Sequence, residues 1–132
     1  MQCAPSLNRA ELIELAIKSY FGNVDAKNME ATLNCFHDEA LFCVQTAFTR
    51  HAGKAEIRRM FADFFSSWES IVHKNFVCTV DEKNGRITAS FEAVLTATDG
   101  STARFFNTNF WRIRDGKFQE VYVYFSGANV LV

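Results

Sequence analysis

The sequence predicts an α+β domain, with helices first, then a run of strands, and the helices packed on one face of a strongly curved sheet. Three observations carry this. Within 54–68, Ile57, Met60, Phe61, Phe64, Phe65 and Trp68 recur at the i, i+3, i+4, i+7 spacing of an amphipathic helix that lies across a sheet. Beyond it the hydrophobic period switches to two, ending in the long hairpin Arg104–Gly127, RFFNTNFWRIRDGKFQEVYVYFSG, whose centre Asp115-Gly116 is a strong hairpin-turn signal. Finally, 132 residues, 48% of them hydrophobic, suffice for one core with a cavity let into it, so residues 1–132 are read as a single domain.

The elements follow in order. Asn8 with Glu11 three residues on forms a helix cap, and Ile13, Ala16, Ile17, Tyr20 and Phe21 fall on one stripe of the helix behind it. Gly22 is expected to end that helix. Asp25 or Asn28 starts a second, with Met29, Leu33 and Phe36 inward, and His37, Asp38 and Glu39 hold the turn at its exit. Residues 40–44 read as a short strand and 46–53 as a loop. After the third helix come a strand near 75–80, a turn at Asn84-Gly85, a long strand over 86–98, and a turn at Asp99-Gly100 leading into the hairpin. The sheet is expected to be antiparallel or mixed.

The hairpin carries the functional signal. Arg112 and Arg114 want water, so the opposite face of the first arm carries Phe105, Asn107, Asn109, Trp111 and Ile113. On the second arm Phe118, Glu120, Tyr122 and Tyr124 share a parity, and with Phe118 inward a carboxylate and two phenols follow it. A face made only for packing would not carry such groups, since each buried polar group lacking a partner costs roughly 1–3 kcal/mol. This face is therefore read as the floor of a small-molecule pocket, with Glu120 having no Lys or Arg on its own strand face to pair with. Val121, Val123 and Phe125 would then form an apolar outer face, which predicts a homodimer.

Composition narrows the partners. The net charge is −1, charged residues make up 22%, and no block of like charge occurs, so neither nucleic acid nor an anionic membrane is an expected partner. Phenylalanine is the outlier at 14 residues, which suits walls around a small apolar or aromatic molecule as well as plain core filling. The first apolar run, 12–21, is interrupted by Glu14 and Lys18 and has no basic leader, so neither a signal peptide nor a span is read there and a cytoplasmic protein is expected. Cys3, Cys35, Cys43 and Cys78 are expected as free thiols. His37, His51 and His73 form no local ligand pair, and neither a metal nor another cofactor is expected.

The succession YFGNVDAKNMEATLNCFHDEALF, HAGKAEIRRMF, IVHKNF and FWRIRDGKFQEVYVYFSG resembles the nuclear-transport-factor-2-like superfamily and, within it, the SnoaL-like branch. The resemblance spans residues 12–127. It implies a cone-shaped sheet wrapped by three helices, a pocket inside the cone, and usually a homodimer. Enzymes of this kind include ketosteroid isomerase, polyketide cyclases and epoxide hydrolases, alongside relatives that only bind or associate, so the fold leaves function open. Compared with ketosteroid isomerase, the oxyanion-binding tyrosine falls on Tyr20. The position of its base falls on Val44, and that of its second acid on Thr108 or Asn109, so the steroid isomerase mechanism is not expected. In the cyclase branch the working acid lies on the late strands, where this chain has Glu120.

The candidate site is thus Glu120 and His73 for proton transfer, with Tyr20, Asn107, Asn109, Trp111, Tyr122, Tyr124 and Phe64 around the substrate. Glu120 is alternatively a strand residue paired across the sheet or a dimer interface, and His73 either looks into the cone or caps the preceding helix. Three functions remain open: a cofactor-independent isomerase, dehydratase or cyclase acting on a small carbonyl or hydroxyl compound; a binding module; and an association domain whose cone is plugged, with no pocket of roughly 300 Å³.

Overall fold

A computed structural model describes residues 7–132; Cys3 lies outside the described residues. The first helix, α1, opens at Arg9–Ile13 under a capping box in which Asn8 Oδ1 accepts from Glu11 N–H at 2.9 Å and Glu11 Oε1 accepts from Asn8 N–H at 3.0 Å. It continues through a π-helical stretch, Glu14–Phe21, into a last turn, Gly22–Asp25. Gly22 therefore does not end it. Nothing lies within 4 Å of where a Gly22 Cβ would be, and the chain turns only at Lys27, whose φ is +56°. Leu12, Ala16, Tyr20, Phe21 and Val24 form the buried stripe, and Ile13 and Ile17 sit at its edge.

Asn28, not Asp25, starts the next helix, α2 (Met29–Leu33), by accepting from Ala31 N–H at 3.2 Å. The third, α3 (Lys54–Ser67), buries Ile57, Met60, Phe61 and Phe64 as its spacing predicts.

Six strands form one curved, open sheet: β1 (Phe36–Val44), β2 (Thr49–Ala52), β3 (Ser70–Asp81), β4 (Arg86–Thr96), β5 (Thr102–Arg114) and β6 (Lys117–Tyr124), ordered β2-β1-β6-β5-β4-β3. The β1–β6 pair is parallel and every other pair antiparallel, so the sheet is mixed. The expected loop 46–53 contains β2, a short edge strand whose sequence, TRHA, shows no apolar alternation to announce it. The hairpin turn is as predicted: Asp115 and Gly116 both take positive φ, +51° and +76°, which is what a two-residue primed turn demands.

Two bulges decide which side chains look inward. In β6, Ile113 faces Phe118 while Arg112 faces Glu120, leaving Gln119 as an extra residue. Phe118, Val121 and Val123 are buried as a result, and Glu120, Tyr122 and Tyr124 turn to the convex face. The expectation that Glu120, Tyr122 and Tyr124 share the cavity face with Phe118 is corrected accordingly: side-chain alternation survives only to the bulge. The apolar outer face also has other members than expected, with Val77, Phe106, Phe110 and Tyr124 exposed instead of Val121 and Val123. In β3 a similar slip, with Asn75 at φ +59°, turns His73 inward and Val77 outward, so the two do not share a face.

Candidate functional site

The concave side of β3–β6 and the inner faces of α1 and α3 enclose a cavity walled by Tyr20, Phe21, Phe61, Phe64, His73, Phe91, Phe105, Asn107 and Asn109, together with Val130 and Leu131 from the segment after β6. With its mouth included the space measures about 410 Å³, whereas the part that admits a water-sized body is about 30 Å³.

His73 is gripped by one turn of α1. Asp25 Oδ1 meets the ring Nδ1 at 2.5 Å, and Asp25 Oδ2 accepts the His73 backbone N–H at 2.8 Å. Four residues earlier, on the same face of α1, Phe21 lies tilted against the imidazole with ring centroids 4.4 Å apart, and Phe91 meets it edge-on at 5.5 Å. An imidazole whose Nδ1–H is held by a carboxylate presents Nε2 as the nitrogen able to accept a proton. Asp25 was not a sequence candidate. Its signal lay in the i, i+4 relation to Phe21, hidden by the expectation that Gly22 ends the helix.

Tyr20 packs among the rings of Phe21, Phe36, Phe61, Trp111 and Phe118, with centroids between 4.8 and 6.2 Å. Burial, reinforced by Cys35 and Asp25, pushes its phenol far above the ordinary tyrosine range, so it stays a neutral donor. Burial likewise pushes the Cys35 thiol up to about 11. Asn107 Oδ1 accepts from Ser126 N–H at 3.1 Å, which fixes the amide and leaves its NH₂ without a partner among the described residues. Asn109 is 3% exposed, and its Oδ1 has no hydrogen-bond partner there. The Trp111 Nε1–H beneath the cavity is also unpartnered; its ring stacks on Phe118 at 5.8 Å.

The structure thus brings together His73, Tyr20, Asn107, Asn109 and Phe64, with Trp111 in the ring cluster below. Glu120, Tyr122 and Tyr124 lie on the opposite face. There Glu120 is paired with Arg112 at 3.1 Å and accepts from the Tyr122 hydroxyl at 3.0 Å. Desolvation and that bond to Glu120 raise the Tyr122 pKa. Val44, which the resemblance sets at the position of the isomerase base, is fully buried and apolar. Among the described residues no group of three His, Cys, Asp or Glu side chains is placed to hold a metal ion, and no helix is long and apolar enough to cross a membrane.

A cone of six curved strands wrapped by three helices, with an aromatic cavity on its concave side, is the architecture of nuclear-transport-factor-2-like proteins. Residues 17–121 match the family model of the SnoaL-like domain, and the chain belongs to that family. No curated protein sequence matches it. Among solved structures it is similar to a Xanthomonas campestris protein provisionally described as a polyketide cyclase (18% identity, TM-score 0.78, covering 89% of this chain and 92% of that one). It is also similar to an epoxide hydrolase of M. tuberculosis (12%, 0.76, 89% and 84%), and to PrhC of Penicillium brasilianum (18%, 0.77, 89% and 82%). At these identities the likeness shows the fold alone.

Proposed function

We propose that the concave cavity binds a small, largely apolar molecule carrying a carbonyl or hydroxyl group, and that His73, oriented by Asp25, transfers a proton on it in an isomerisation, dehydration or cyclisation. The observation that carries this reading is Asn109 Oδ1, buried in the wall of an aromatic cavity without a hydrogen-bond partner among the described residues, with His73, Tyr20 and Asn107 lining the same wall. Such an atom costs free energy unless a ligand or water completes it. His73 Nε2 takes the proton and returns it, while Tyr20 and Asn107 donate to the substrate oxygen as charge develops there. The kinds of enzyme named among the structural neighbours support the class of chemistry. Glu120 is left with a structural part on the convex face.

His73→Gln tests the assignment in a screen of small carbonyl and hydroxyl compounds: turnover should fall on the order of 10²–10⁴-fold, the usual worth of a general acid or base. Unchanged turnover would end it. The apolar Val44 favours a second reading, a binding module, and native mass spectrometry showing a retained, unaltered metabolite with no product from any substrate would select it. The protein is further inferred to be a homodimer that covers Phe106, Phe110 and Tyr124 of the convex face, burying on the order of 1,200 Å² or more. The free thiols Cys35, Cys43 and Cys78 fit a reducing compartment such as the cytoplasm.

A further inference from the structure

If the cavity binds a molecule as proposed above, one of its walls must move, because a space of about 30 Å³ holds little more than one water. Most of the wall is fixed. β4, β5 and β6 are each laddered on both sides, β3 is laddered to β4 and tied to α1 through His73 and Asp25, and α1 and α3 are locked by the ring cluster around Tyr20 and Phe61. The exception is the strap after β6, which joins no ladder yet supplies Val130 and Leu131 to the wall.

The strap is fastened at its two ends. At the near end Ser126 donates its N–H to Asn107 Oδ1 at 3.1 Å and accepts from Phe106 N–H at 2.9 Å. Gly127 then crosses the Phe105 ring so closely that a Cβ would stand 2.9 Å from it. At the far end the Leu131 carbonyl meets His51 Nε2 at 3.0 Å, and the Asn129 amide reaches Thr49 Oγ1 at 3.3 Å. His51 is 3% exposed and takes no part in the cavity wall. Its Nδ1 faces Arg59 Nη2 at 3.3 Å, and Arg59 also holds Asp63 at 2.8 Å and the Val132 carbonyl at 3.3 Å. Both ring nitrogens are consistently employed: Nδ1 accepts from the guanidinium, so Nε2 carries the hydrogen donated to Leu131.

We propose that the strap Gly127–Val132 is the moving wall of the cone, that His51 and Arg59 are its latch, and that Leu131 is the plug whose size sets which molecules enter. Asn107 links the strap to the site, since the same amide anchors Ser126 and presents its NH₂ to the ligand.

Thr49→Cys with Asn129→Cys, oxidised to a disulfide, locks the strap shut, and the reduced form of the same protein is its own folding control. The probe is 2-naphthol, read by stopped-flow as a change in Trp111 fluorescence in protein that also carries Trp68→Phe, which leaves Trp111 as the single tryptophan. Oxidation should slow association at least tenfold, with recovery on reduction. His51→Ala should speed it by about tenfold, and Leu131→Ala should tighten equilibrium binding by a similar factor. Hydrogen exchange supplies a readout that needs no ligand: amides of 128–132 should exchange well before those of β5. Equal association rates in the oxidised and reduced forms, strap amides as protected as β5, or no naphthol binding even in Leu131→Ala would each overturn the proposal. Turnover that survives His73→Gln would instead overturn the assignment of the site and leave the strap readouts as expected.

Discussion

The two faces of the sheet treat their polar groups in opposite ways. On the convex side, where water is at hand, a set of polar groups is paired: Glu120 with Arg112 and Tyr122, Glu92 with Arg104 at 2.9 Å and with Asn75 at 2.9 Å, and Ser90 with Thr108 at 3.0 Å. On the concave side, where water is scarce, Asn109 and Trp111 have no partner among the described residues and Asn107 has half of one. Stability alone would arrange matters the other way round. Under the proposed function the concave groups are completed by a molecule that is not part of the chain, and the convex pairs belong to the architecture.

Breaking the convex face should have the largest visible effect. Phe110→Asp puts a charge among Phe106 and Tyr124, and should convert the inferred dimer to monomer by light scattering at micromolar concentration; a wild-type protein that is already monomeric would contradict the dimer. Next, Asn109→Leu replaces an unpartnered amide by an apolar group of similar size. It should stabilise the fold by about 1–3 kcal/mol in urea while weakening ligand binding, and a destabilised variant would show that Asn109 is satisfied after all. Glu120→Gln on the other face touches a pair that is 28% and 27% exposed, so it should change stability by only ~0–1 kcal/mol and leave turnover intact.

A pH slope tests the burial of the core beneath the cavity. Burial raises the Cys35 thiol from 9.0 to about 11, so between those values the unfolded chain has lost a proton that the folded one keeps. Stability is fully present below pH 9 and is lost as pH rises toward 11, with Tyr20, shifted the same way, adding to the fall at its upper end. Urea midpoints taken from pH 8 to 10.5 should decline, and Cys35→Ala should flatten the lower part of that decline.

Strand periodicity made one arm of the hairpin fully legible and misled on the other. In β5 the inward set Phe105, Asn107, Asn109, Trp111 and Ile113 follows from two outward-facing arginines, because that strand runs without interruption. In β6 a single extra residue, Gln119, reverses the parity, and nothing in FQEVYVY marks a bulge, since both faces can accept aromatic and β-branched side chains. The α3 face was legible because its four buried positions, Ile57, Met60, Phe61 and Phe64, are large and apolar at helical spacing. Asp25 and the strap were not. Asp25 acts through a contact 48 residues away, and His51 meets Leu131 across 80, distances over which local pattern carries no information.

The placement of function on the concave face can be tested most directly by native mass spectrometry of the small molecule retained by wild type, Asn109→Leu and Glu120→Gln, purified side by side. Retention should be lost in Asn109→Leu and kept in Glu120→Gln. Retention kept in Asn109→Leu and lost in Glu120→Gln would contradict the account and return the site to the convex cluster of Glu120, Arg112 and Tyr122.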